Sequence, residues 1–212
     1  MNPRTVCLLP LWLALAGCAP LLPTPETTET VARHAVRPDI LPAPAPAVPG
    51  APALAVAQLR RGPLIDDRAM VYVDAEGRRG TFVNNAWAAP PDLQLAEWLV
   101  AALERAGGTP AVVAPGGRGD AELLLEGELL RFELVAEPPP GSLRAELRLQ
   151  LLTARGREVL ATARLAESEP LAEPGPVAMG DAADRAVARL LDAGARFVRD
   201  AVVARVRETG RE

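Results

Sequence analysis

The chain has 212 residues, of which 49% are hydrophobic but only 3% aromatic, and its formal net charge is −4 at pH 7. With 23 basic residues against 27 acids and no basic tract, the composition argues against nucleic acid as a partner.

The N-terminus carries Arg4, an apolar run over residues 6–16, then Gly17 and Cys18, which is the layout of an export signal. A helix needs about 20 apolar residues to cross a bilayer, and this run is about half that length and is broken by Pro10. The tetrad Leu15-Ala16-Gly17-Cys18 resembles the bacterial lipobox, in which the cysteine thiol receives a diacylglycerol before the signal is cut. Residues 1–17 are thus read as a lipoprotein signal peptide and Cys18 as the lipidation site and mature N-terminus. Several acyl chains on one residue, palmitate among them, anchor stably without a transmembrane helix. The next residue is Ala19 rather than the aspartate associated with inner-membrane retention, so the expected location is the periplasmic side of the outer membrane. Cys7 leaves with the signal, which leaves the mature chain no free thiol, and loss of Arg4 makes it one unit more acidic.

Residues 18–53 are rich in proline, including Pro42-Ala43-Pro44-Ala45-Pro46, and have no repeating apolar face. This composition reads as a disordered tether that could reach on the order of 100 Å in extended form. Residues 54–212 have the size of one domain with one core.

Short strands are expected over residues 54–59, 69–73 and 80–86, with a loop over 60–67 and a turn at Gly77. A helix follows Pro90-Pro91, with Asp92 placed to cap its amides, a stripe through Leu95, Leu99 and Leu103, and an end at Gly107-Gly108. After a strand over 109–113 and a glycine-rich loop, a long strand runs over 121–135. Its apolar phase changes along its length, which places a bulge near Gly127. Leu143, Ala145, Leu147, Leu149 and Leu151 alternate with polar residues, and Val159, Ala161, Ala163 and Leu165 form one face of a partner strand. A second helix runs from Pro176 to about residue 207, with Gly194 on its apolar stripe allowing close approach to the sheet. The fold class is therefore α+β: a mostly antiparallel sheet with two helices packed on one face.

Catalytic chemistry finds little support. The one histidine, His34, falls in the expected tether, where nothing rigid would hold it. Neither Ser142 nor Ser168 sits in a nucleophile elbow, and Gly116-Gly117-Arg118-Gly119 lacks the lysine of a phosphate loop. Asp66 and Asp67 diverge as neighbours, and Asp181 and Asp184 read as first-turn charges on the second helix. No enzyme activity, metal or cofactor is expected beyond the covalent lipid on Cys18. Trp87, at a strand-to-helix junction near Phe82, is a candidate either for the core or for a docking surface.

The run Leu64-Ile65-Asp66-Asp67-Arg68-Ala69-Met70-Val71-Tyr72, followed by Phe82 and Trp87-Ala88-Ala89-Pro90, resembles the ABC-type transport auxiliary lipoprotein family, to which the intermembrane lipoprotein of the paraquat-inducible system belongs. In that family a lipobox and tether precede an aspartate-arginine loop, a valine-tyrosine strand and a tryptophan-alanine turn. Here Asp67-Arg68, Val71-Tyr72 and Trp87-Ala88 match, while Ala89 replaces the family's usual acidic residue. The resemblance spans Cys18 to near the C-terminus and marks Asp67, Arg68, Tyr72, Phe82 and Trp87 as a structural or docking turn. It implies a non-catalytic partner of an ABC transporter whose substrate-binding component carries an Mce domain, moving lipid between two membranes, and a docking or homo-oligomeric, ring-forming role. The alternative is an envelope lipoprotein that activates or assembles another periplasmic machine, such as a cell-wall synthase.

Overall fold

The structure, a computed structural model, describes residues 30–155 and 157–210. The chain divides after Thr30, and the described elements all belong to the unit that starts at Val31. Residues 1–29, and with them the signal peptide and Cys18, lie outside the described residues.

The architecture is α+β. In chain order the elements are β1 (Ala32–His34), β2 (Leu54–Val56), β3 (Arg60–Arg61), β4 (Ala69–Val73), β5 (Arg79–Trp87), α1 (Pro91–Ala106), β6 (Val112–Val113), β7 (Leu123–Val135), β8 (Ser142–Thr153), β9 (Val159–Pro170) and α2 (Pro176–Thr209). All nine strands form one mixed sheet organised around β7. One edge of β7 runs antiparallel to β8, which in turn pairs antiparallel with β9. Along its other edge β7 takes up β2, β3 and β4 end to end, all parallel to it: Leu54 pairs with Leu123, Arg60 with Glu128 and Tyr72 with Leu134. β6 lies beyond β2, while β5 and then β1 lie beyond β4. The long ladders are antiparallel, as expected, and the parallel pairings are short.

β7 holds this place because Leu123, Leu125, Leu129, Phe132 and Leu134 all reach the interior. The change of phase between Leu129 and Phe132 needs one extra residue, and the register with β8 slips between Leu129 and Arg131. The bulge therefore sits at Leu130 and not near Gly127. Gly127 instead makes room for its neighbours, since a Cβ there would press on the side chains of Leu59 and Leu149. A second slip, between Leu151 and Leu152, turns Val159 out to 51% exposure and removes it from the inward face that Ala161, Ala163 and Leu165 share.

Both helices cover the same face, touching each other and the sheet. Burying each of Leu95, Leu99 and Leu103 of α1 and Leu190 and Leu191 of α2 contributes about 1.5–3 kcal/mol relative to exposure. Gly194 does sit against the sheet, but a Cβ there would meet Leu149, Leu99 and Leu165 at 3.4–3.7 Å, ordinary contact distances. Asp92 makes no cap; its carboxylate turns to Arg61, with Oδ1 3.0 Å from Nε. Asp181 and Asp184 lie beyond the first turn of α2, which starts at Pro176 and holds no acid in that turn.

The described part of the expected tether is folded. β1 joins the sheet beside β5, and residues 35–53 lie as a strap along the α1–α2 seam. Val36 is 2% exposed; its N–H donates to Gln94 Oε1 at 2.8 Å and its carbonyl accepts from Trp98 Nε1 at 2.9 Å. Arg37 N–H donates to Asp184 Oδ1 (2.7 Å), Arg105 Nε to the Pro42 carbonyl (2.8 Å) and Arg199 Nη1 to the Pro46 carbonyl (3.0 Å). The boundary of the folded unit thus moves from residue 54 to residue 31. Prolines suit such a strap because each fixes φ and brings no N–H that burial would leave unpaired. His34 is likewise in the sheet, with Nε2 2.9 Å from Asn85 Oδ1.

Candidate functional site

The residues marked by sequence gather around the β4–β5 pair, but they divide into an interior group and a surface group. β4 and β5 are in register at Ala69 and Ala86, then slip before Val71 pairs with Thr81. β1 braces the displaced part of β5, where Ala32, Arg33 and His34 pair with Asn85, Ala86 and Trp87.

Trp87 is fully buried. Its ring packs on Phe132 with centroids 5.1 Å apart, and its backbone N–H donates to the Arg68 carbonyl at 2.8 Å. The indole Nε1 has no hydrogen-bond partner among the described residues. Trp87 is a core residue, and Arg68, exposed itself, serves it through its backbone.

Tyr72 and Phe82 form the surface group. Their rings stand 5.3 Å apart, and the Tyr72 ring covers Gly80 directly across the strand pair, where no Cβ would fit. Both are half-buried and line an apolar pocket of about 420 Å³ with Leu134, Pro139, Pro140 and Pro174.

Asp67 belongs to a third arrangement. Arg61 joins it through Nη1 (3.1 Å) to the Asp92 contact at the start of α1. The Asp92 hydrogen bond, opposed by partial burial, holds the Arg61 guanidinium above its usual range. This ties the 62–68 loop to the first turn of α1.

Sequence reasoning missed the ionic lattice on the sheet face away from the helices. Glu133 is buried and pairs with Arg79 and Arg131; Arg131 also reaches Glu146, which pairs with Arg164. Glu128 takes Arg60 and Arg148, and Glu126 takes Arg157. The hydrogen bond from Arg164 holds the Glu146 carboxyl below its usual range, against partial burial. The signal was present as acids and arginines alternating with leucines on β7 and β8, though sequence alone does not fix which strands pair. Among the described residues no group of three or more His, Cys, Asp or Glu could hold a metal ion.

Residues 37–195 match the family described as ABC-type transport auxiliary lipoprotein component. The chain belongs to this family. The match begins inside the strap and ends within α2, so the strap is part of the family's domain, and it starts well after Cys18. No curated protein matches the chain. Among solved structures, a Xanthomonas campestris protein aligns with a TM-score of 0.72 at 20% identity, covering 84% of this chain and 99% of its own. An uncharacterized protein aligns with a TM-score of 0.60 at 20% identity, covering 78% of this chain and 97% of its own. These likenesses establish the auxiliary lipoprotein's fold.

Proposed function

We propose that this auxiliary lipoprotein is a non-catalytic component of an ABC-type lipid transport system, anchored to the periplasmic side of the outer membrane by lipid on Cys18 and docking a partner that carries an Mce domain. The observation that carries the reading is the family match over residues 37–195, which takes in most of the strap, every strand but β1, and the first part of α2. The geometry agrees with a protein that works through its surface: of the sequence-marked residues Trp87 is core, Tyr72 and Phe82 line a surface pocket, and the sheet face away from the helices carries paired charges.

The folded strap changes the expected reach. With the module starting at Val31, a span of about 13 residues back to Cys18 can extend at most ~45 Å, so the module stays near the membrane that anchors it and the partner comes to it. The test is affinity purification of the full chain from detergent-solubilised envelopes, with Cys18→Ser in parallel. The expected result is co-purification of an Mce-domain protein and transporter subunits with the native chain, and loss of membrane attachment in Cys18→Ser. Recovery of cell-wall synthesis proteins in their place, or a membrane-bound Cys18→Ser protein, would overturn the reading.

A further inference from the structure

On the sheet face away from the helices the acids lie low and the bases stand above them. The outward glutamates of β7 and β8 are Glu126, Glu128, Glu133 and Glu146, and the last three take two arginines each. Glu128, Glu133 and Glu146 expose 3–16% of their side chains, whereas the arginines paired with them expose 34–68%. A glutamate is shorter than an arginine, so the carboxylates stay near the backbone and the guanidiniums cover them. Arg144 adds a cation without a partner. It stands opposite Glu133 in the β7–β8 ladder, but Arg79 and Arg131 take that carboxylate, and among the described residues Arg144 forms no ion pair. In the β8–β9 turn Arg157 pairs with Glu126, while Arg155 and Glu158 cancel. The acids of β9 do not redress the balance, because Glu167 and Glu169 pair with Arg185 and Arg189 of α2 on the other face. A chain of formal net charge −4 thus sets seven arginines, with Arg155 and Glu158 left aside, against four glutamates on this face.

We propose that this face lies against a membrane surface that bears anionic phospholipid headgroups. The occupant follows from charge, shape and place. A guanidinium holds a phosphate through parallel hydrogen bonds, and an arginine already joined to a carboxylate keeps further N–H groups free. β8 and β9 have twelve residues each, so the face is about 40 Å long and meets several headgroups at once. A depression of about 360 Å³ lies between Arg131 and Arg144, with Glu146, Ala166 and Ser168 among its other walls, and it has room for a headgroup phosphate beside the unpaired Arg144 and the Ser168 hydroxyl. The rest of the chain carries the excess acid, which an anionic surface repels, so the field that attracts this face also sets the orientation. The placement rests on the proposed lipid on Cys18. With the folded unit starting about 13 residues after that anchor, the face meets the membrane at high effective concentration, and a contact that is weak by itself suffices.

The test uses the mature chain with Cys18→Ser, which carries no acyl chain, so its outcome is independent of the anchor and of any transporter partner. The measurement is sedimentation at low salt with vesicles of phosphatidylcholine alone and of equal parts phosphatidylcholine and phosphatidylglycerol. The expected result is binding to the mixed vesicles only, lost in about 1 M salt, where charges are screened beyond ~3 Å. Arg144→Glu lowers the partition coefficient roughly tenfold or more, whereas Arg207→Glu, the same change of charge at an exposed position of α2, lowers it by less than about twofold. Arg144→Gln puts no acid opposite Glu133 and shifts binding in the same direction by a smaller factor, which decides the matter should Arg144→Glu fail to fold. No binding to the mixed vesicles, equal binding to both kinds, or equal losses in Arg144→Glu and Arg207→Glu would overturn the proposal. Retention on immobilised polyglutamate without sedimentation on either vesicle would also overturn it and assign the face to an acidic protein.

Discussion

The carbonyl oxygen of Ala45 occupies the space that a Cβ on Gly107 would need, at a residue whose φ is +65°. The strap thus crosses the end of α1 at backbone contact, where Ala45 N–H also donates to the Arg105 carbonyl at 3.1 Å. Gly107→Ala must both adopt an unfavourable φ and push the strap away. A left-handed backbone alone costs a non-glycine residue on the order of 1 kcal/mol. The expected loss exceeds that figure, and the strap amides should exchange faster by hydrogen-exchange mass spectrometry. Unchanged exchange over residues 36–46 would contradict the contact.

Trp98→Phe keeps most of the ring packing on α1 but removes the donor to Val36. The expected cost is about 0.5–1.5 kcal/mol, the usual net worth of one hydrogen bond. Deleting residues 31–51 removes β1, Val36 and the strap contacts together, and should lower the melting temperature by many degrees. For a chain of this size each kcal/mol is worth roughly 2–4 °C. A deletion variant that melts with the native chain would return the segment to the status of a tether.

What the sequence made legible was periodicity. The alternation on β8 and the stripes on α1 and α2 follow from residues that must face one core, so those elements lie where the pattern puts them. The strap has no pattern because nothing repeats along it: Val36 is held by Gln94 and Trp98, Pro42 and Ala45 by Arg105, and Pro46 by Arg199, and composition alone resembles a linker. The parallel alignment of β2, β3 and β4 along β7 is equally silent, since pairing partners are set by long-range closure. The motif residues were visible by resemblance, but whether Trp87 packs or docks depends on which face of the β5 slip it occupies.

Asp184 accepts the Arg37 amide and is pushed above its usual pKa, first by burial and then by repulsion from Asp39 and Asp181. A raised folded-state pKa means the native chain binds this proton more tightly than the unfolded chain. Its stability contribution is therefore fully present below the unfolded value near 3.9 and is lost as pH rises through the folded value. Asp184→Asn keeps the acceptor and removes the charge. Its melting temperature at pH 7.5 should equal or exceed that of the native chain, with the gap closing as pH falls. A variant less stable than the native chain at pH 7.5 by more than about 1 kcal/mol would show that the charged form is favoured, since a charged acceptor is worth more than a neutral one only where it is not desolvated at a cost.

Trp87 offers the sharpest contrast between two substitutions. Trp87→Ala leaves a cavity beneath β1 and against Phe132, and should cost about 3–5 kcal/mol, the range for removing a large buried aromatic. Trp87→Phe leaves a smaller void, and it also removes an indole N–H that is buried without a partner. An unsatisfied buried donor is itself worth a penalty of about 1–3 kcal/mol, which offsets the lost packing. The phenylalanine variant should therefore lie far closer to the native chain than to the alanine variant in a urea titration. If both substitutions cost the same, the indole nitrogen must be contributing a bond, and a water held beside Trp87 becomes the explanation to examine by high-resolution crystallography.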